Sequence, residues 1–168
     1  MASSPSPLRF LVTSEAIRDL DLSSLAPLRQ RPLAQLLPLA GTLELQLEWP
    51  RLDEDPRELS EIPELRLWSL RADAVHPWLP LLLERSTGQL TRHVAMLLPH
   101  GFNRQEGIRF APECLELWIT HRLFQLDEQA RQEALNCRGS LSQMATALGF
   151  ELDPQFWSQL PPAGVISG

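Results

Sequence analysis

The sequence predicts an α+β domain, with a small antiparallel β-sheet of about four strands in the N-terminal two-thirds, backed by helices, and a helical C-terminal part. Three observations predict it. Leu43, Leu45, Leu47 and Trp49 alternate with Glu44, Gln46 and Glu48, the pattern of a strand with one apolar face. From Pro112 onward the apolar residues recur at helical spacing. Strand-like runs cluster in the first hundred residues and helical ones after them, which separates the two kinds of layer.

Arg9 to Thr13 reads as the first strand, and Ser14 is placed to cap a helical turn through Ile17 and Leu20. Between Leu22 and Leu39, the spacing of Pro27, Pro32 and Pro38 leaves room only for short helical turns. Gly41 closes this region and the second strand follows to Trp49. A third strand is expected where Leu65 and Leu67 alternate with Glu64, Arg66 and Trp68, with a bulge at Ser69 where the phase slips toward Asp73. Trp78 to Arg85 forms a brief helix, Ser86-Thr87-Gly88 a turn, and Gln89 to Leu98 the fourth strand. Pro99 to Gly107 is a polar loop, after which Ile108 and Phe110 re-enter the sheet. A main core helix runs from Pro112 to the Asp127–Arg131 region, and a second from the Gly139-Ser140 cap to Gly149. Asp153-Pro154 opens a last short helix through Phe156 and Trp157.

The 168 residues divide into a disordered tail at 1–8, one domain at 9–160 and a flexible tail at 161–168. No repeat and no dividing linker interrupts the domain. The longest apolar run, Trp78 to Leu83, falls far short of the roughly 20 residues that cross a bilayer. The N-terminus lacks the basic and apolar regions of a secretion signal, which points to a soluble, cytoplasmic protein.

A net charge of −6 disfavours nucleic acid as a partner. Every basic residue is arginine, whose planar fork pairs carboxylates bidentately and so suits protein contacts. Cys114 and Cys137 lack metal or redox spacing and read as free thiols. His76, His93, His100 and His121 show no helical ligand pair, so no metal and no cofactor is expected. There is no nucleophile elbow, and a phosphate loop would need a lysine that the chain does not contain.

Two alternatives to a binding protein remain at this point. One is a small enzyme using His100 beside Glu106 and Arg104. The other is an acidic regulatory binding protein acting on nucleic acid, with Ser140 to Gly149 resembling the first part of a helix-turn-helix, against which the net charge counts. Against both stands the proline-bracketed charged segment from Asp53 to Glu64, which cannot bury itself without unpaired charge and so faces solvent or a partner. Of the two tryptophans flanking it, Trp49 follows inward leucines and reads as core, and Trp68 reads as an interface anchor.

The run Asp55-Pro56-Arg57-Glu58-Leu59-Ser60-Glu61-Ile62-Pro63-Glu64, then Arg66-Leu67-Trp68, Pro77-Trp78-Leu79-Pro80, Ala95-Met96-Leu97-Leu98-Pro99-His100 and Glu106-Gly107-Ile108 resembles the chlororespiratory reduction 6 family. The resemblance covers roughly residues 9 to 160. It implies a non-catalytic assembly factor, or chaperone, for the photosynthetic NDH-1 complex, binding its NdhI iron-sulfur subunit while the peripheral arm matures. It also implies a cytoplasmic location in cyanobacteria and a stromal one in a plant homologue. Carried onto this chain, the family's motif positions are Arg57, Glu58, Glu61, Trp68, His100, Arg104 and Glu106, expected as partner contacts and not as catalytic groups.

Overall fold

The computed structural model describes residues 9–50, 61–103 and 107–162. Strand β1 (Arg9–Val12) pairs with β2 (Glu44–Leu47) in register from Arg9 opposite Glu44 to Val12 opposite Leu47, and the pairing is parallel. An antiparallel sheet was the expectation, and the intervening chain explains the difference. Parallel neighbours need a long crossover, and here it consists of short helical pieces. They are α1 (Ser14–Arg18), a 3₁₀ turn at Ser23–Leu25, α2 (Ala26–Gln30), α3 (Leu33–Leu36) and a 3₁₀ turn at Leu37–Leu39. Thr13, not Ser14, caps α1: its Oγ1 accepts from the Ala16 amide at 3.2 Å.

The expected third strand is a helix, α4 (Pro63–Val75), with Pro63 in its first turn. The expected fourth strand is also a helix, α6 (Gln89–Leu97), entered through Gly88 at φ 88°. Between them lies α5 (Leu79–Leu82), whose four residues are all buried. The polar loop folds as a hairpin of its own, β3 (His100–Asn103) with β4 (Gly107–Phe110), antiparallel and separate from β1–β2. The described chain therefore has four strands in two small sheets, and the α+β class holds although the sheets are assembled differently.

The C-terminal third follows the expected helices, α7 (Pro112–Gln132) and α8 (Arg138–Ala147), except that α8 starts ahead of the expected Gly139-Ser140 cap, with Cys137 in the N-cap position. At the end of α8 the Phe150 amide donates to the Ala145 carbonyl and the Gly149 amide to that of Thr146, with Gly149 at φ 84°. This is the double-bonded left-handed cap for which glycine is suited. Asp153 Oδ1 accepts from the Gln155 amide, and a 3₁₀ turn at Trp157–Gln159 follows. One hydrophobic core joins the layers, with Val12, Leu43, Leu65, Trp68, Leu82, Val94, Ile119, Leu126, Leu141 and Met144 all fully or nearly fully enclosed. Among the described residues, no helix is long and apolar enough to cross a membrane.

Candidate functional site

Trp68 is core, not surface: it is fully buried on the inner face of α4, and its indole Nε1 donates to the Asp21 carbonyl at 2.9 Å. The strand reading had put its side chain on the face opposite Leu65. A helix puts residues three apart on the same face, so Trp68 joins Leu65 and Ala72 inside. Glu61 is exposed, and the neighbouring Ile62 is 1% exposed and anchors the start of α4. His100 is half-buried in β3, where Nδ1 donates to the Leu98 carbonyl at 3.0 Å and the ring meets Phe110 edge-on at 6.4 Å. Arg57, Glu58, Arg104 and Glu106 lie outside the described residues, as does the pairing of His100 with Glu106.

The structure gathers polar groups that spacing did not reveal. Asp73 on α4, His93 on α6 and Arg122 on α7 meet in the interior, all under one-tenth exposed. Arg122 Nη1 and Nη2 grip the two Asp73 oxygens at 3.0 and 2.6 Å, and His93 Nε2 lies 3.1 Å from Oδ1. Nη1 also donates to the Pro77 carbonyl at 3.0 Å, and the guanidinium sits 5.1 Å from the Trp118 ring. Burial alone pushes the Asp73 carboxyl up; the hydrogen bonds and charges of His93 and Arg122 outweigh it and hold the group below its ordinary value. Three helices are thus joined at one carboxylate.

A second cluster centres on Asp127, 1% exposed, which accepts from Arg131 Nε at 2.9 Å and Arg138 Nε at 2.8 Å. Arg138 also donates to the Pro161 carbonyl and lies over the Trp157 ring, so α7, α8 and the C-terminal turn are tied together. Beside it the Cys137 thiol is pushed up to about 11, by burial and then by the Asp127 charge. These groups have hydrogen-bond partners within the fold, which suits support of structure better than proton transfer to a substrate. Among the described residues no His, Cys, Asp and Glu cluster is arranged to hold a metal ion.

Open features lie at the C-terminal end of α4 and on its outward face. A cavity of about 240 Å³ has an apolar lining from Leu28, Leu33 and Leu36, with Val75, His76 and Trp78 opposite. Arg29, Arg31 and Glu133, all exposed, border it. Burial, and then the charge of Arg29, push the His76 imidazole below its ordinary value. The outward face of α4 carries Leu67, Leu70 and Val75 at 56, 43 and 36% exposure. Sequence reasoning missed this face because it assigned Leu67 to the inner face of a strand; the signal for a helix was Pro63 with Leu65, Trp68 and Ala72 at helical spacing.

No solved structure matches this chain. The family model described as Chlororespiratory reduction 6 matches residues 12–159, from the last residue of β1 to the final 3₁₀ turn.

Proposed function

The chain belongs to the chlororespiratory reduction 6 family, and we propose that it is a non-catalytic assembly factor for the photosynthetic NDH-1 complex that binds the NdhI iron-sulfur subunit while the peripheral arm matures. The observation that carries this reading is the family match across nearly the whole described chain, since the family is linked to assembly of that complex. Two features of the molecule support it. The strongest acid–base candidates, Asp73, His93 and Asp127, are engaged with neighbouring helices, and the outward side of α4 offers apolar groups together with arginine.

The mechanism is reversible capping. The protein covers a client surface that is still waiting for its permanent neighbour, prevents wrong association, and leaves when that neighbour arrives. Glu61, with Arg57 and Glu58 ahead of it in sequence, supplies charged contacts, and His100, Arg104 and Glu106 supply further ones. Charge pairing at the rim speeds encounter and desolvated apolar anchors set residence time. Trp68 contributes indirectly, by holding α4 in place. The protein acts in the cytoplasm of a cyanobacterium, or in the stroma of a plant.

Affinity capture of the tagged chain from photosynthetic cells tests this. The expected co-purifying protein is NdhI without the remainder of the finished complex, and charge reversal at Glu61 should reduce its yield while the protein still folds, as circular dichroism would show. Recovery of intact NDH-1 in stoichiometric amount, or of no NDH-1 subunit, would refute the reading.

A further inference from the structure

We propose that the cavity at the C-terminal end of α4 is a docking pocket for an acidic polypeptide segment, which inserts an apolar side chain and sets carboxylates against Arg29 and Arg31. The proposal deepens the assembly-factor reading, on which the identity of the client rests.

Size comes first. At about 240 Å³ the cavity is smaller than the roughly 300–1,000 Å³ of sites that enclose drug-sized ligands or cofactors. It suits a side chain better than a nucleotide or a flavin. Leu28, Leu33 and Leu36 make its apolar lining, so that side chain is apolar as well.

Polarity comes next. His76 is 8% exposed and lines the cavity. A segment entering the cavity meets this ring as a hydrogen-bonding group. The neutral ring, favoured by burial and by Arg29, offers one donor and one acceptor to a peptide backbone or a carboxyl group.

Charge sets the sign of the partner. Arg29 and Arg31 enter no ion pair among the described residues, and Glu133 is the single carboxylate lining the cavity with them. A local excess of arginine on a chain of net charge −6 selects an acidic segment over a basic one.

Continuity gives the segment its shape. Val75 belongs both to the cavity and to the exposed side of α4, where Arg71 and then Leu67 follow it one and two turns back and Leu70 flanks Leu67. From Leu67 to Val75 this face runs about 12 Å, a little over two helical turns. An amphipathic segment of that length places one anchor in the cavity and rests its remaining apolar side on Leu70 and Leu67.

The test uses the full chain and two synthetic peptides. One has a Leu-Phe centre flanked by Asp and Glu; the other carries Lys at every acidic position. In amide-resolved NMR titrations the acidic peptide should shift Val75, His76 and the Trp78 indole, and the basic peptide should not. Arg29→Glu with Arg31→Glu should weaken the acidic peptide at least tenfold, while Arg92→Glu, away from the cavity, should leave it unchanged. Equal response to both peptides, shifts confined to other surfaces, no shift at millimolar peptide, or a dimer in sedimentation that the peptide does not disrupt would overturn the proposal. Purified NdhI separates this proposal from the assembly reading. If the Arg29→Glu/Arg31→Glu protein binds NdhI as tightly as the unaltered chain does, the pocket is wrong and the assembly role stands. If the acidic peptide binds in the cavity but the unaltered chain does not bind NdhI, the pocket stands and that client is wrong.

Discussion

Replacing Asp73 by Ala should destabilise the protein more than any surface substitution, because it leaves Arg122 charged, buried and without its carboxylate. The structure shows what is lost: two Arg122 hydrogen bonds at 3.0 and 2.6 Å, and the His93 contact at 3.1 Å. Arg122 Nε is already without a partner, so the guanidinium would keep only the Pro77 carbonyl and the Trp118 ring. Breaking a buried pair by removing one member costs about 3–5 kcal/mol. For a chain of this length each kcal/mol lowers the melting temperature by about 2–4 °C, so the variant should melt about 6–20 °C lower. Circular dichroism melts and urea titrations measure this directly. Asp73→Leu and Arg122→Leu should each be costly alone, whereas the double Leu variant removes both charges and should recover most of the loss, with a coupling energy of about 2 kcal/mol or more. A loss under about 1 kcal/mol for Asp73→Ala, or additive single changes, would refute the idea that this carboxylate joins three helices.

Stability should also fall in acid. Asp73 and Asp127 both sit below their ordinary value of 3.8, so their contribution is complete above about pH 4 and disappears as pH drops through the lowered values. Urea midpoints measured from pH 6 to pH 2 should decline below pH 4, less steeply in Asp73→Ala. Trp68→Ala should cost about 3–5 kcal/mol in a denaturation series, whereas Trp68→Phe should cost about 1–3 kcal/mol, chiefly from the missing bond to the Asp21 carbonyl. Iodoacetamide with mass spectrometry should modify half-buried Cys114 well before Cys137, whose thiol is buried and raised to about 11, until denaturant is added. Gly149→Ala should destabilise by about 1–2 kcal/mol from the left-handed backbone alone, since no atom lies within 4 Å of the added methyl.

The C-terminal half was legible because its signals are local. Pro112 opens α7, Gly149 closes α8, and the spacing of Leu115, Ile119 and Leu126 is helical throughout. The short crossover helices were legible from their prolines. What misled was α4. Its inner face carries Ser69 and Asp73 among Leu65, Trp68 and Ala72, and its outer face carries Leu67 and Leu70, so the apolar stripe that marks a helix is blurred on both sides. In α6, His93 interrupts the inner face in the same way, and the consecutive Val94 to Leu98 looks like a buried strand. The two errors share part of their cause: Asp73 and His93 blur the inner faces of their helices because they meet each other, with Arg122, in the interior, and contacts between residues 20 and 49 apart are invisible to local periodicity. For the site, the family motif ran across the start of α4, which the periodicity had read as a strand, and the helix turned Trp68 inward and Leu67 outward.

That inversion bears on how the protein could hold a client. A docking helix that moves freely must be ordered on binding, and each immobilised side chain then subtracts from affinity. Here α4 is fixed from within at several places. Ile62 is buried at its entrance, the Trp68 indole is bonded to the Asp21 carbonyl midway, and Asp73 is gripped by Arg122 near its end. Leu67, Leu70 and Val75 are therefore displayed from a backbone whose opposite side is already tied down, which lowers the ordering cost of capture. In the proposed role, the same anchoring would link client binding to the interior. Asp73→Asn keeps the side-chain shape but removes the charge opposing Arg122, so it should loosen the C-terminal turn of α4 without touching the exposed face. Hydrogen exchange at the Ala74, Val75 and His76 amides should then accelerate, and NdhI capture should weaken. Unchanged capture alongside faster exchange would show that the client does not need a rigid α4.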